Sequence, residues 1–140
     1  MAAKPETLLY QRLRENLPDS CRVTRIESRV GLGIPDCIVA IKGIGFSLLE
    51  LKVVKRGKKV LLSPHQVAFH TVCGAMELPC FILVQYHPPG APTIRGAQWL
   101  LYHASQAQDL LREGVTLPPV ESWPADQVRW HMLKNALQGG

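Results

Sequence analysis

The chain has 140 residues, 46% of them hydrophobic and 19% charged, which suits one folded domain with its own core and excludes an extended disordered chain. Its longest strongly apolar run, residues 80–84, falls far short of the roughly 20 residues of a membrane span. The opening MAAKPETLLYQRLREN carries charge where a signal peptide needs an apolar stretch, so a cytoplasmic chain with no membrane association is expected. The net charge of +5 is unevenly placed: residues 1–70 hold twelve Lys and Arg against six Asp and Glu, residues 71–140 four against five. Most of the excess lies within residues 52–59. Such a patch points to a polyanionic partner, most often nucleic acid, against the plainer reading of a solvated face.

Residues 5–17 read as a helix, with Pro5 at a first helical position and Leu9, Leu13 and Leu17 at i, i+4 spacing. Pro18-Asp19 stops it. Residues 22–28 alternate weakly and predict a strand closed by a turn at Gly31 and Gly33. Two further strands, 36–41 and 46–53, are joined by a glycine-flanked connector, and a basic loop spans 55–59. Ser63-Pro64-His65-Gln66 opens a second helix: Ser63 can cap it, Pro64 takes the first position and Gln66 completes a capping box. Ala68, Val72 and Met76, with Phe69 and Cys73, form its expected apolar face. Residues 80–86 read as a buried strand, and Pro88-Pro89-Gly90 breaks the chain. A strand at 97–102, a helix at 104–112, a proline-rich connector at 117–124 and a short helix at 126–137 follow. This order predicts a mixed α/β domain, a mixed central sheet flanked by helices, with its core within about residues 5–103 and a C-terminal helical extension after it.

Cys21, Cys37, Cys73 and Cys80 form no CxxC pair, and the histidines show no zinc-binding spacing. Buried, reduced thiols are expected. Gly31-Leu32-Gly33 lacks the Gly-Lys-Ser/Thr of a phosphate-binding loop, so no nucleotide cofactor is expected.

The chemistry concentrates at Pro35-Asp36 and Glu50-Leu51-Lys52. On a strand, residues two apart share a face, so Glu50 and Lys52 project together, and core faces disfavour charge unless it is paired or metal-bound. The hairpin register decides whether Asp36 joins them. A two-residue loop places Asp36 opposite Leu51, away from Glu50. A three-residue loop at 43–45, with Gly45 as its left-handed residue, places it opposite Lys52 and all three on one face; this register is the expectation. Two converging carboxylates beside a basic loop make a hard-cation site for Mg2+ or Mn2+. With an adjacent lysine, that site suits phosphodiester hydrolysis. The plainer alternative is a surface salt bridge between Glu50 and Lys52.

Gly33-Ile34-Pro35-Asp36, Glu50-Leu51-Lys52 and Ser63-Pro64-His65-Gln66, in this order on strand, strand and helix, resemble the PD-(D/E)XK nuclease superfamily and its VRR-NUC branch, over roughly residues 6–86. The resemblance implies that Asp36, Glu50 and the backbone carbonyl of Leu51 hold the metal. It implies also that Lys52 positions the attacking water and that Gln66 faces the site. Glu6 matches the first-helix glutamate of many such nucleases. Arg25, Arg29, Lys55, Arg56, Lys58 and Lys59, with His65, are the expected DNA phosphate contacts. The implied protein is a Mg2+- or Mn2+-dependent DNA endonuclease of a bacterial or phage-infected cell. It would cut branched DNA such as a Holliday junction as a homodimer, with the C-terminal tryptophans, Trp99, Trp123 and Trp130, filling a core or the dimer interface. Alternatives are a restriction- or homing-type enzyme and a non-catalytic nucleic-acid-binding module.

Overall fold

Pro5 at the first helical position and the Leu9/Leu13 stripe give α1 (Pro5–Asn16), whose two leucines are fully buried. The computed structural model describes residues 4–26 and 32–138. Along them follow the strands β1 (Cys21–Arg25), β2 (Cys37–Ile41) and β3 (Gly45–Val54), the helix α2 (Pro64–Ala75), then β4 (Cys80–Tyr86) and β5 (Gln98–His103). A 3-10 turn at Ala104–Gln106 leads into α3 (Ala107–Glu113), and β6 (Glu121–Pro124) and α4 (Trp130–Ala136) complete the order. The predicted turn at Gly31 lies outside the described residues.

The protein is a mixed α/β fold: one six-stranded sheet in sequential order β1 to β6, flanked by helices. Every neighbouring pair is antiparallel except β3 and β4. Parallel neighbours need a crossover connection, which α2 provides. β4 is buried along nearly its whole length because both faces are covered, the condition that makes a strand continuously apolar. On one face, Leu9 and Leu13 of α1 pack with Leu49, Leu51, Leu83, Leu101 and, from the C-terminal part, Trp123 and Leu133. On the other, α2 and α3 cover Ile82, Val84, Leu100 and Tyr102. Among the described residues no helix is long and apolar enough to cross a membrane.

Three expectations are corrected here. The connector at 117–124 contains β6, an edge strand whose Trp123 pairs with Trp99 of β5; its prolines masked a short strand that needs few ladder bonds. For the three tryptophans the expected core role is the one observed. Trp99 and Trp123 are buried in the core, and Trp130 stands edge-on to Trp99 at 5.5 Å. Arg12 lies over Trp99 and Trp130 and donates to the Ala125 carbonyl (2.7 Å), tying α1 to the C-terminal segment. The thiols are free, but Cys21 is only half-buried.

The third correction concerns α2. Val72 and Met76 are 60% and 63% exposed, and Ala68 is exposed too. The buried residues are His70, Cys73 and Gly74. Gly74 explains the rotation: a Cβ there would lie 2.5 Å from the Ser105 backbone nitrogen, so the helix is pressed against the Ala104–Gln106 turn through its one bare position. Gly→Ala inside a helix ordinarily stabilises by about 1 kcal/mol. Gly74→Ala is expected to reverse that sign and cost about 1–3 kcal/mol through overpacking, read as a lowered urea midpoint.

Candidate active site

β2 and β3 are registered through Cys37↔Leu49 and Ile41↔Gly45. Asp36, one residue before that ladder, therefore stands beside Glu50 and not opposite Lys52. The connecting loop does have three residues, but they are 42–44. Ile44 N–H donates to the Ile41 carbonyl (3.0 Å), and Gly43 supplies the positive φ (+79°) at the third position of that turn, where a type II turn requires it. The register is thus two residues from the expected one. The parity is unchanged, and Asp36 keeps to the Glu50 side.

Asp36 Oδ2 accepts a hydrogen bond from the Leu51 N–H (2.8 Å). A strand residue directs its N–H and C=O to the same side, so the Leu51 carbonyl also faces the space that β2 leaves where it ends. Glu50 is 1% exposed, and its Oε1 has no hydrogen-bond partner among the described residues. Burial foremost, then hydrogen bonding and charge from Asp36, push its carboxyl up to about 9, against a smaller lowering by Lys52 and the Leu51 backbone. Both effects disfavour the ionised form. Among the described residues no ion pair joins Glu50 to Lys52, so the surface salt bridge does not describe this pair.

Lys52 Nζ donates instead to Gln66 Oε1 (3.1 Å). The same oxygen accepts from the Ser63 N–H (2.9 Å), while Gln66 N–H donates to Ser63 Oγ (3.1 Å). The capping box at the head of α2 is complete, and its glutamine reaches the lysine of β3. A groove of about 210 Å3 opens beside them, lined by Ile26, Leu32, Gly33, Ile34, Asp36, Ser63 and Gln66.

Asp36, Glu50, Leu51, Lys52 and Gln66 are therefore assembled in one place. Glu6 is not gathered with them. It is half-buried in the first turn of α1, which packs on the opposite sheet face, and among the described residues no three His, Cys, Asp or Glu side chains converge to hold a metal. Arg25 is exposed but turned toward α1, donating to Thr7 Oγ1 (3.2 Å) with its guanidinium 5.6 Å from the Tyr10 ring. Arg29 lies outside the described residues. His65 is exposed beside Gln66, and Lys55, Arg56, Lys58 and Lys59 are exposed in the loop after β3.

His70 is a member of this region that the apolar pattern missed. It is fully buried, its Nδ1 is 3.0 Å from the Gln66 carbonyl, and its Nε2 has no partner among the described residues. Burial holds its pKa below the usual imidazole value, so Nδ1 carries the proton and donates. The signal was present at i, i+4, i+7 and i+8: Gln66, His70, Cys73 and Gly74 mark one helical face, but two of the four are polar.

No protein-family model matches the sequence, and no curated protein does. A solved structure similar to this chain is that of Archaeoglobus fulgidus Hjc, a Holliday junction resolvase from an archaeal hyperthermophile, 14% identical over 72% of this chain and 74% of that one, with a TM-score of 0.47.

Proposed function

We propose that this protein is a Mg2+- or Mn2+-dependent endonuclease that hydrolyses phosphodiester bonds in DNA, a PD-(D/E)XK enzyme of VRR-NUC-like type acting on branched DNA as a homodimer. The observation that carries the reading is Glu50: a fully buried carboxyl with an unpartnered oxygen, beside a second carboxylate and on the strand face that carries Lys52. Fold stability does not require such a group, since burying a carboxyl without a partner is costly.

These residues fit a hard divalent cation. Mg2+ is commonly held by one or two carboxylates with waters completing its shell, and here Asp36, Glu50 and the Leu51 carbonyl would hold it. When bound, the cation polarises a phosphoryl oxygen and acidifies water. The chain's own residues do the rest. Asp36 is held in place by the Leu51 N–H, and Glu50 must release its proton to become a ligand. Lys52 Nζ, anchored on Gln66 Oε1, presents positive charge and a donor to the attacking water and the phosphate. His65 would be a flanking phosphate contact. Two-fold symmetry would match paired sites to the paired strands cut at a four-way junction.

Lys55, Arg56, Lys58 and Lys59 would hold the DNA backbone without reading bases. Changing all four to alanine is expected to weaken binding equally across sequences and to flatten the slope of log affinity against log salt by about 3, measured by fluorescence anisotropy in EDTA.

The deciding experiment is cleavage of a labelled four-way junction, a linear duplex and single strands in Mg2+, Mn2+ or EDTA. Metal-dependent, symmetric nicking of the junction supports the reading. Cuts at discrete duplex sequences would replace it with a restriction- or homing-type enzyme. Salt-sensitive binding without cleavage in either metal would leave a binding module.

A further inference from the structure

The basic loop after β3 does more than present charge to solvent. Lys55, Arg56, Gly57 and Lys58 form one wall of a cavity of about 300 Å3 whose other wall is Tyr86, His87 and Pro89, at the end of β4. Both walls are fixed. The Val115 N–H donates to the Lys58 carbonyl (2.9 Å), and Gly114 allows the approach, since a Cβ there would lie 2.1 Å from that carbonyl oxygen. Opposite, Trp99 Nε1–H donates to Gln85 Oε1 (3.0 Å), so Gln85 Nε2 donates to His87 Nε2 (2.9 Å). His87 Nδ1–H in turn donates to the Ala91 carbonyl (2.9 Å), and the His87 N–H to the Val54 carbonyl (2.9 Å). Among the described residues the ion pairs involve Arg112 alone, so the three cations of the cavity are uncommitted.

Cations on one side and an aromatic ring on the other are the two halves of nucleotide recognition: phosphate on the charges, base against the ring. The cavity, about 300 Å3, is at the lower limit for small-ligand pockets, a size that suits a single nucleotide. Its place is also informative. Val54 pairs with Tyr86, and Lys55 lies five residues beyond Glu50 on the same strand line, about 17 Å away, or about five base-pair steps along a duplex.

We infer that this cavity takes a single unpaired DNA nucleotide, its base stacked on Tyr86 and its phosphate held by Lys55, Arg56 and Lys58. The inference rests on the nuclease reading and supplies it with a means of choosing branches that carry an unpaired nucleotide over continuous duplex, in which every base is paired and stacked.

The test is equilibrium binding of the full chain in EDTA to a branched DNA with one unpaired nucleotide and to the flush duplex of equal length. The native chain should prefer the branched DNA about tenfold, the scale of one stacked base. Tyr86→Phe should keep that preference; Tyr86→Leu should abolish it while leaving duplex affinity and salt slope unchanged. For the native chain, 5-iodouracil at the unpaired position should photocrosslink to Tyr86. A preference that survives Tyr86→Leu, or a crosslink mapping away from this cavity, overturns the inference. If the preference follows Tyr86 but the native chain cuts in neither metal, the pocket stands and the nuclease reading falls. If cleavage depends on Glu50 but the preference ignores Tyr86, the reverse holds.

Discussion

Glu50→Gln is expected to abolish cleavage, by about 10³-fold or more, while making the metal-free protein more stable. The amide keeps the shape of the side chain but cannot serve as an anionic ligand. The stability effect follows from the raised carboxyl. Folded, Glu50 titrates at about 9, against an ordinary 4.5; unfolded, it loses its proton near the ordinary value. Between these values the unfolded chain has released a proton that the folded one retains, so metal-free stability falls as pH rises from about 4.5 to about 9. Glutamine has no such dependence. In EDTA the two proteins should melt together near pH 5, and the variant should melt higher at pH 8, by a margin that grows as pH rises toward about 9. Divalent metal should raise the melting temperature of the native chain and not of the variant. A variant that still cleaves, or native melting that is flat with pH, sinks the assignment of Glu50.

Gly33→Ala is expected to be the most damaging single-methyl change near the site. Gly33 has φ +76°, and a Cβ there would lie 2.2 Å from the His65 carbonyl oxygen and 2.7 Å from the Gln66 nitrogen. Both atoms are backbone at the head of α2, so relief requires moving the helix. Left-handed strain and overpacking together cost about 2–4 kcal/mol, or roughly 10 °C in melting temperature. The shift also draws Gln66 away from Lys52. Activity at a temperature where the variant is fully folded should therefore fall more than its folded fraction does; equal losses would reduce Gly33 to a stability role.

How much of this was legible beforehand depends on which signal each residue carried. The helix head at Ser63–Gln66 was readable because its chemistry is local: a cap, a proline and a glutamine at fixed offsets. β4 was readable because it is apolar throughout. The register of β2 and β3 was not, since the glycine-rich arrangements differ by single positions and both Gly43 and Gly45 take a positive φ. The face of α2 was misjudged for a related reason. Apolarity marked Ala68, Val72 and Met76, yet the buried face holds a histidine and a glycine, a partner's backbone demanding one and the site surrounding the other. β6 hid behind its prolines. Glu6 and Arg25 show the limit of spacing arguments: each sits on the expected element, but the sheet separates the α1 side from the α2 side.

One atom, Gln66 Oε1, accepts from both the Ser63 N–H and Lys52 Nζ. On the proposed nuclease reading, a lineage accumulating random mutations screens position 66 twice, once at folding through the helix cap and once at chemistry, whereas Lys52 and Asp36, with one hydrogen bond each, to Gln66 and from the Leu51 N–H, are screened chiefly at chemistry. Copies that have lost selection for activity but still must fold should shed Lys52 and Asp36 first and retain Ser63 and Gln66 longest.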